Sequence, residues 1–234
     1  MENSFDTFIF DLDGTLLDTV LDLISLTNRI LDAMGMPLRS REDVIRFVGG
    51  GLDQVLRLSL PEDATDADLR RALELWNEWY TGYYEATDPY DGIPELLGAL
   101  EARGCKCAVF SNRDKEGVDI LLAKSPLDGF ALTLGTGLLP EDDPIIDAAA
   151  DVVISGQIAR KPEPDGILVA MEVLDAEPSH TLYIGDTPTD IAAGHAAGCA
   201  TAAVLWGYHS EEELLAEHPD IVVSHPLDLL HYAI

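Results

Sequence analysis

From Pro89 onward the chain alternates short apolar runs with helix-patterned segments, and that alternation constrains the fold more than any other feature. Strands that alternate with amphipathic helices build βαβ units, which set the strands in a mainly parallel sheet. The pattern predicts a helix over Ile93–Arg103, with Pro94 in its first turn and Gly104 closing it, then a strand over Cys105–Phe110. Beyond these it predicts helices over Glu116–Lys124 and Asp190–Ala197, strands over Asp151–Ile154, Thr181–Ile184 and Ala200–Val204, and a short strand at Ile221–Val223. An earlier apolar run, Thr7–Leu12, is closed by Asp13 and Gly14 and reads as a buried strand ending in a turn.

Between that first strand and Pro89 the rhythm is helical. From Thr19 to Met34 apolar positions recur every third or fourth residue until Gly35 and Pro37 stop the pattern, and helical character continues to about Asp88. Trp76, Trp79, Tyr80 and Tyr83 form a stripe at helical spacing, which reads as a helix-packing face. The expectation is therefore an α/β protein: a discontinuous, Rossmann-like, three-layer core over residues 1–17 and 89–234, with an α-helical cap inserted over 18–88.

Charge narrows the partners. With 43 acidic and 14 basic residues, the formal charge of -29 repels phosphodiester backbones and anionic lipid, so no nucleic acid and no membrane partner is expected. Any phosphate site in such a chain must be locally positive. The three cysteines suggest no disulfide framework, and Cys105 and Cys107 read as buried neighbours on one strand face. The histidines lack zinc-ligand spacing. With no signal-peptide pattern and no apolar run of about 18 residues, a soluble cytoplasmic protein is expected.

Ligands of open parallel sheets gather at the carboxyl ends of the strands. Four such ends carry polar residues: Asp11 with Asp13, Ser111 with Asn112, Lys161, and Asp186 with Asp190. Each alone has an ordinary explanation as a turn, cap or solvated residue. Together they supply a nucleophile, an acid or base, a cation and donors for phosphoryl oxygens. Several carboxylates crowded together repel unless a hard divalent cation sits among them, and such oxygen ligands suit Mg2+.

The ordered pieces FDLDGTLLDT at Phe10–Thr19, PYDG at Pro89–Gly92, VFSN at Val109–Asn112, KPEPD at Lys161–Asp165 and GDTPTD at Gly185–Asp190 resemble the haloacid dehalogenase superfamily, in its phosphoglycolate phosphatase-like branch with a helical cap. The resemblance implies a Mg2+-dependent phosphatase acting on a small phosphorylated metabolite, as a monomer or homodimer. It implies that Asp11 attacks phosphorus and that Asp13 protonates the leaving oxygen and then activates water. Ser111 and the Asn112 backbone N–H would hold the phosphoryl group, and Lys161 would neutralise nucleophile and phosphate. Asp11, the Asp13 carbonyl and Asp186 would hold the metal, with Asp190 supporting them. Thr15 would orient Asp13, and Asp18 would cap the helix leading into the cap. Arg46, Gly49 and Gly50, with Gly51, are the candidate substrate contacts from the cap.

Ser111 and Lys161 stand about 50 positions apart, longer than usual for the family, so an extra segment is expected near 135–150, with a short helix at Ile145–Ala150 and a peripheral course. The acidic Asp13 argues against a dehalogenase. The absence of lysine from 18–88 argues against a phosphonatase, which would need one there for a Schiff base. A sugar phosphomutase like β-phosphoglucomutase, a pyrophosphatase of the same fold and an idle binding module remain as rivals. The substrate stays open among phosphoglycolate, inorganic pyrophosphate, sugar phosphates and nucleoside monophosphates.

Overall fold

A computed structural model of the chain describes residues 4–80, 87–153 and 156–234. Strand β1 (Thr7–Phe10) leads to a two-residue strand β2 (Leu17–Asp18) and then to helices α1 (Val20–Ala33), α2 (Arg41–Phe47), α3 (Leu52–Ser59) and α4 (Asp66–Trp79). The chain returns through β3 (Asp88–Pro89). It then alternates through α5 (Ile93–Ala102), β4 (Lys106–Asp114), α6 (Lys115–Lys124), β5 (Leu132–Leu138), α7 (Pro144–Ala148) and β6 (Gln157–Ile158). The remaining elements are α8 (Asp165–Leu174), β7 (Thr181–Gly185), α9 (Pro188–Ala197), β8 (Ala200–Val204), α10 (Glu211–Ala216) and β9 (Ile221–Val223).

The seven-stranded sheet has the order β6-β5-β4-β1-β7-β8-β9, parallel throughout except for β6, which runs antiparallel to β5. Every residue of β1 is buried. Its side chains alternate between the two faces. Phe8 and Phe10 enter an apolar layer with Ile93 and Leu96 of α5 and Val118 of α6, while Ile9 packs with Ile167 of α8 and Ala193 of α9. Helices thus cover both faces, as an all-buried parallel sheet requires.

Register brings the functional ends together. Phe10 is level with Val109 of β4 and Ile184 of β7, so the residues that follow these three strands emerge at one edge. Because the chain departs from β1 to β4 on one side and β7 on the other, this edge opens a crevice at the switch point of the sheet. The antiparallel β2–β3 ribbon starts and ends the helical excursion at this edge, with Leu17 opposite Pro89.

Several sequence expectations need revision. No strand covers Asp151–Val153, where Asp151 and Val152 form a turn; Ile154 lies outside the described residues, as does Tyr83. Val153 satisfies its N–H on Ala149 O at 2.8 Å and buries its side chain in the second apolar layer, so its hydrophobicity is spent on packing rather than pairing. Gly135 belongs to β5, so the extra segment begins only after Leu138; its short helix is α7. Strand β4 runs past Phe110 to Asp114, with a register irregularity that carries Ser111 and Asn112 within the strand. The three cysteines are free, and Cys105 is half-buried rather than buried.

Candidate active site

Asp11 follows β1 directly, and its N–H donates to Ile184 O at 2.9 Å, which locks the strand end beside β7. Its carboxylate accepts the Leu12 N–H at Oδ1 (2.7 Å) and pairs with Lys161 Nζ at 2.8 Å. The same ammonium donates to Asp190 Oδ1 at 2.7 Å. Lys161 is 4% exposed and Asp190 0%, so this is an ion triad withdrawn from water. Asp190 Oδ2 closes the α9 capping box, accepting Thr187 N at 2.9 Å and Thr187 Oγ1 at 2.7 Å. One carboxylate thus starts a helix and anchors the lysine.

Asp186 is fully buried at the end of β7, where Oδ1 accepts Thr15 Oγ1 (2.9 Å) and Oδ2 accepts Tyr208 N (2.9 Å). Gly14 makes room for it: at φ +82°, a Cβ there would lie 2.3 Å from Asp186 Oδ2, so any side chain meets both backbone strain and a collision. Asp11, Asp186 and Asp190 each offer a carboxylate oxygen within 4.8 Å of the others. Buried, oxygen-only and crowded, this donor set fits a hard divalent cation.

The electrostatics carry the same message. Burial pushes the Asp11 carboxyl up to about 7 against the pull of Lys161, with Asp190 and Asp13 adding to the rise. Asp186 is raised well above the usual range by burial and by its acidic neighbours Asp190 and Asp11. Burial alone would depress the Lys161 ammonium, but Asp11 and Asp190 outweigh it and raise it. For Asp13, burial is overcome by the Arg113 guanidinium, which grips both its oxygens (Nε to Oδ2 2.7 Å, Nη2 to Oδ1 2.6 Å) and holds the carboxyl below its ordinary value.

Asp11, Asp13, Ser111, Asn112 and Lys161 line one cavity of about 60 Å3, together with Arg113 and Thr187. Its opposite wall comes from the helical excursion: Leu23, Val48, Gly49, Gly51, Leu52, Val55 and Trp76. Asn112 ties the halves together, donating from Nδ2 to Gly49 O at 2.6 Å and accepting Lys161 N at Oδ1 (2.7 Å). At the rim, Arg160 pairs with Asp53 of α3. The extra segment after Leu138 contributes nothing to this cavity among the described residues.

Some expected roles move. Arg46 does not line the cavity; it lies exposed on the last turn of α2, paired with Asp43 three residues back at 2.9 Å. Gly50 is likewise outside the lining, with the Gln54 side chain filling the space beside it. Thr15 orients Asp186 rather than Asp13. The hydroxyl on Asp13 is that of Thr19, at 2.5 Å; although Thr19 is the residue before α1, its side chain makes no cap and turns to Asp13 instead. Asp18 does serve the helix start, accepting Val20 N at 3.3 Å. Trp76 belongs to the packed core, as its stripe suggested, but it also faces the cavity.

Sequence reasoning missed Arg113, Thr19 and Tyr208. Arg113 was findable as the next polar residue on the Ser111-Asn112 strand end. Tyr208, whose hydroxyl accepts Thr19 N at 2.9 Å, follows β8 at the same sheet edge, and only its place beside β7 marks it.

Residues 5–198 match the haloacid dehalogenase-like hydrolases. The chain belongs to that family. Among its relatives in the haloacid dehalogenase-like group, a phosphoglycolate phosphatase from Aquifex aeolicus is 32% identical over 228 residues, covering 95% of this chain and 93% of the relative. An N-acetylmuramic acid 6-phosphate phosphatase from Pseudomonas aeruginosa is also 32% identical over 228 residues, covering 95% and 92%. A crystal structure of a provisionally named phosphoglycolate phosphatase from Lactobacillus delbrueckii subsp. bulgaricus superposes with a TM-score of 0.81 at 27% identity, covering 97% of each chain. No helix among the described residues is long and apolar enough to cross a membrane.

Proposed function

We propose that this hydrolase cleaves a small phosphate monoester, with Asp11 as the nucleophile and water as the final acceptor. The observation that carries the reading is the convergence of Asp11, Asp13, Ser111, Asn112 and Lys161 on one cavity at the strand ends, with the Asp11 carboxylate paired to Lys161. A carboxylate oxygen of Asp11 forms a bond to phosphorus as the ester P–O bond breaks; the leaving oxygen keeps the electron pair of that bond and takes a proton from Asp13, a step that requires Asp13 to be protonated and its Arg113 clamp released when substrate is bound. Water then attacks the aspartyl-phosphate, gives its proton to Asp13 and frees Asp11 and phosphate. Lys161 holds the nucleophile and offsets phosphoryl charge, while Ser111 and the Asn112 N–H orient phosphoryl oxygens.

The residues fit Mg2+: Asp11, Asp186 and the Asp13 carbonyl would hold it, with Asp190 supporting them directly or through water. When bound, it supplies the positive charge that crowded carboxylates and a phosphate dianion need. We assign residues 1–17 and 89–234 to the catalytic core and 18–88 to a cap whose wall faces the phosphoryl site. A cytoplasmic location accompanies the reading, with no nucleic-acid partner.

Asp11→Asn tests it. With Mg2+ and a panel of phosphorylated metabolites, wild type releases inorganic phosphate and the variant does not, while circular dichroism shows an unchanged fold. Equal phosphate release by the variant would sink the covalent mechanism, and isomerisation of a hexose monophosphate without net release would favour a mutase.

A further inference from the structure

Resting on the phosphatase reading, we infer that Arg113 is a specificity residue that leaves Asp13 for a carboxylate on the departing alcohol, so that recognition of that carboxylate frees the acid/base. Among the described residues only two cations line the cavity, Lys161 and Arg113. Lys161 is held between Asp11 and Asp190. Arg113 follows Ser111 and Asn112 on β4, and its N–H donates to Ser111 Oγ at 3.2 Å, which sets it beside the proposed phosphoryl donors. Its carbonyl accepts Thr136 Oγ1 of β5 at 3.3 Å, so the backbone is anchored and the exchange belongs to the side chain.

That side chain cannot keep its present contact through the reaction. It occupies both Asp13 oxygens, with Nε on Oδ2 at 2.7 Å and Nη2 on Oδ1 at 2.6 Å, and Thr19 Oγ1 donates to Oδ1 as well. A leaving oxygen that takes its proton from Asp13 must come within hydrogen-bond reach of one of those oxygens. The Arg113 and Asp13 side chains are only 14% and 15% exposed. A guanidinium that let go without a new partner would be left unpaired and largely withdrawn from water, which is strongly disfavoured.

A carboxylate on the substrate supplies that partner, with the same charge and the same two-oxygen fit to the guanidinium fork as the carboxylate it replaces. A neutral alcohol supplies none, and the clamp stays shut. The cap wall assists without taking over this role. Gly49, Gly51 and Leu52 line the cavity, and the first turn of α3 has no side-chain cap, so it offers N–H donors but no formal charge.

The test compares kcat/KM for 2-phosphoglycolate and ethyl phosphate, which has the same two carbons and no charge on its leaving group, with Mg2+ in wild type, Arg113→Gln and Arg113→Lys. Wild type is expected to prefer phosphoglycolate by about tenfold to a hundredfold, the worth of a hydrogen bond between charged groups. Arg113→Gln is expected to lose that preference, mainly by slowing phosphoglycolate, and Arg113→Lys to keep part of it. Arg113→Met gives the same reading should circular dichroism show Arg113→Gln unfolded. An equal loss on both esters, with their ratio unchanged, means that Arg113 only holds Asp13 in place and overturns the inference. So does a wild type without a preference for phosphoglycolate, and either result leaves the phosphatase reading standing. Phosphate release by wild type from no ester at all sinks both, so the two failures are distinguishable.

Discussion

Replacing Lys161 by Met removes the one cation shared by Asp11 and Asp190 while keeping the length of the side chain. At the separations of 2.8 and 2.7 Å, each attraction is about 6 kcal/mol at an effective dielectric near 20. Most of that is offset by the desolvation of three buried charges. Removing one partner of a buried pair nevertheless costs about 3–5 kcal/mol, because the other charge stays behind unpaired. For a domain of this size that is a fall in Tm of about 6–20 °C. The loss depends on pH. The Asp11 carboxyl already stands at about 7, above its unfolded value, so the native state binds the extra proton and its stability falls as pH rises toward 7. Without Lys161 that carboxyl rises further, so the deficit of the variant is larger at pH 8 than at pH 5.5, where Asp11 is protonated. Thermal unfolding followed by circular dichroism, in chelator and at both pH values, measures it. A deficit under about 1 kcal/mol at pH 8, or one equal at the two pH values, would refute a buried triad held by charge.

Mg2+ at about one hundred times its Kd should add about 2.7 kcal/mol of stability, and the rise in Tm should be smaller at pH 6 than at pH 8 because protonated Asp11 must ionise to bind it; equal shifts would count against Asp11 as a ligand. Gly14→Ala should cost about 1–3 kcal/mol from backbone strain alone and abolish the Mg2+-induced shift by displacing Asp186, so an Ala variant with a normal shift in differential scanning calorimetry would contradict the close approach. Thr19→Val and Thr15→Val should separate two functions. The first loses a hydrogen bond to a carboxylate worth about 1.5–3 kcal/mol and lowers kcat with the Mg2+ response intact, whereas the second weakens the Mg2+ response through Asp186. The reverse pattern in paired activity and melting assays would refute the assignment.

The sheet was legible because a parallel sheet writes itself into sequence as short apolar runs between helices, and Ala200–Val204 and Ile221–Val223 appear as read. The edge residues were legible because a buried strand that stops at Asp11 or Asp186 has no packing reason to end in acid. What failed depended on distance across the fold. Nothing near Arg46 distinguishes an arginine that faces a cavity from one that pairs with Asp43 on its own helix. Thr15 and Thr19 are both hydroxyls near Asp13, and only the third dimension assigns one to Asp186 and the other to Asp13. Val152 and Val153 have strand composition, but burial against α7 and α8 satisfied them first. Trp76 followed the helical period of a packing face and, though buried, also lines the cavity, since periodicity reports which face is covered and not what covers it.

The site also explains how a chain of charge -29 accommodates an anionic substrate. Four carboxylates, Asp11, Asp13, Asp186 and Asp190, meet two cations, Lys161 and Arg113. Arg113 is taken by Asp13, and Lys161 is divided between Asp190 and Asp11. That leaves the site two positive charges short. The two carboxyls pushed upward by burial and acidic neighbours, Asp11 and Asp186, are the ones without a cation of their own. Protons can make up the shortage, and so can one divalent ion, but only the ion also leaves Asp11 ionised and nucleophilic at neutral pH.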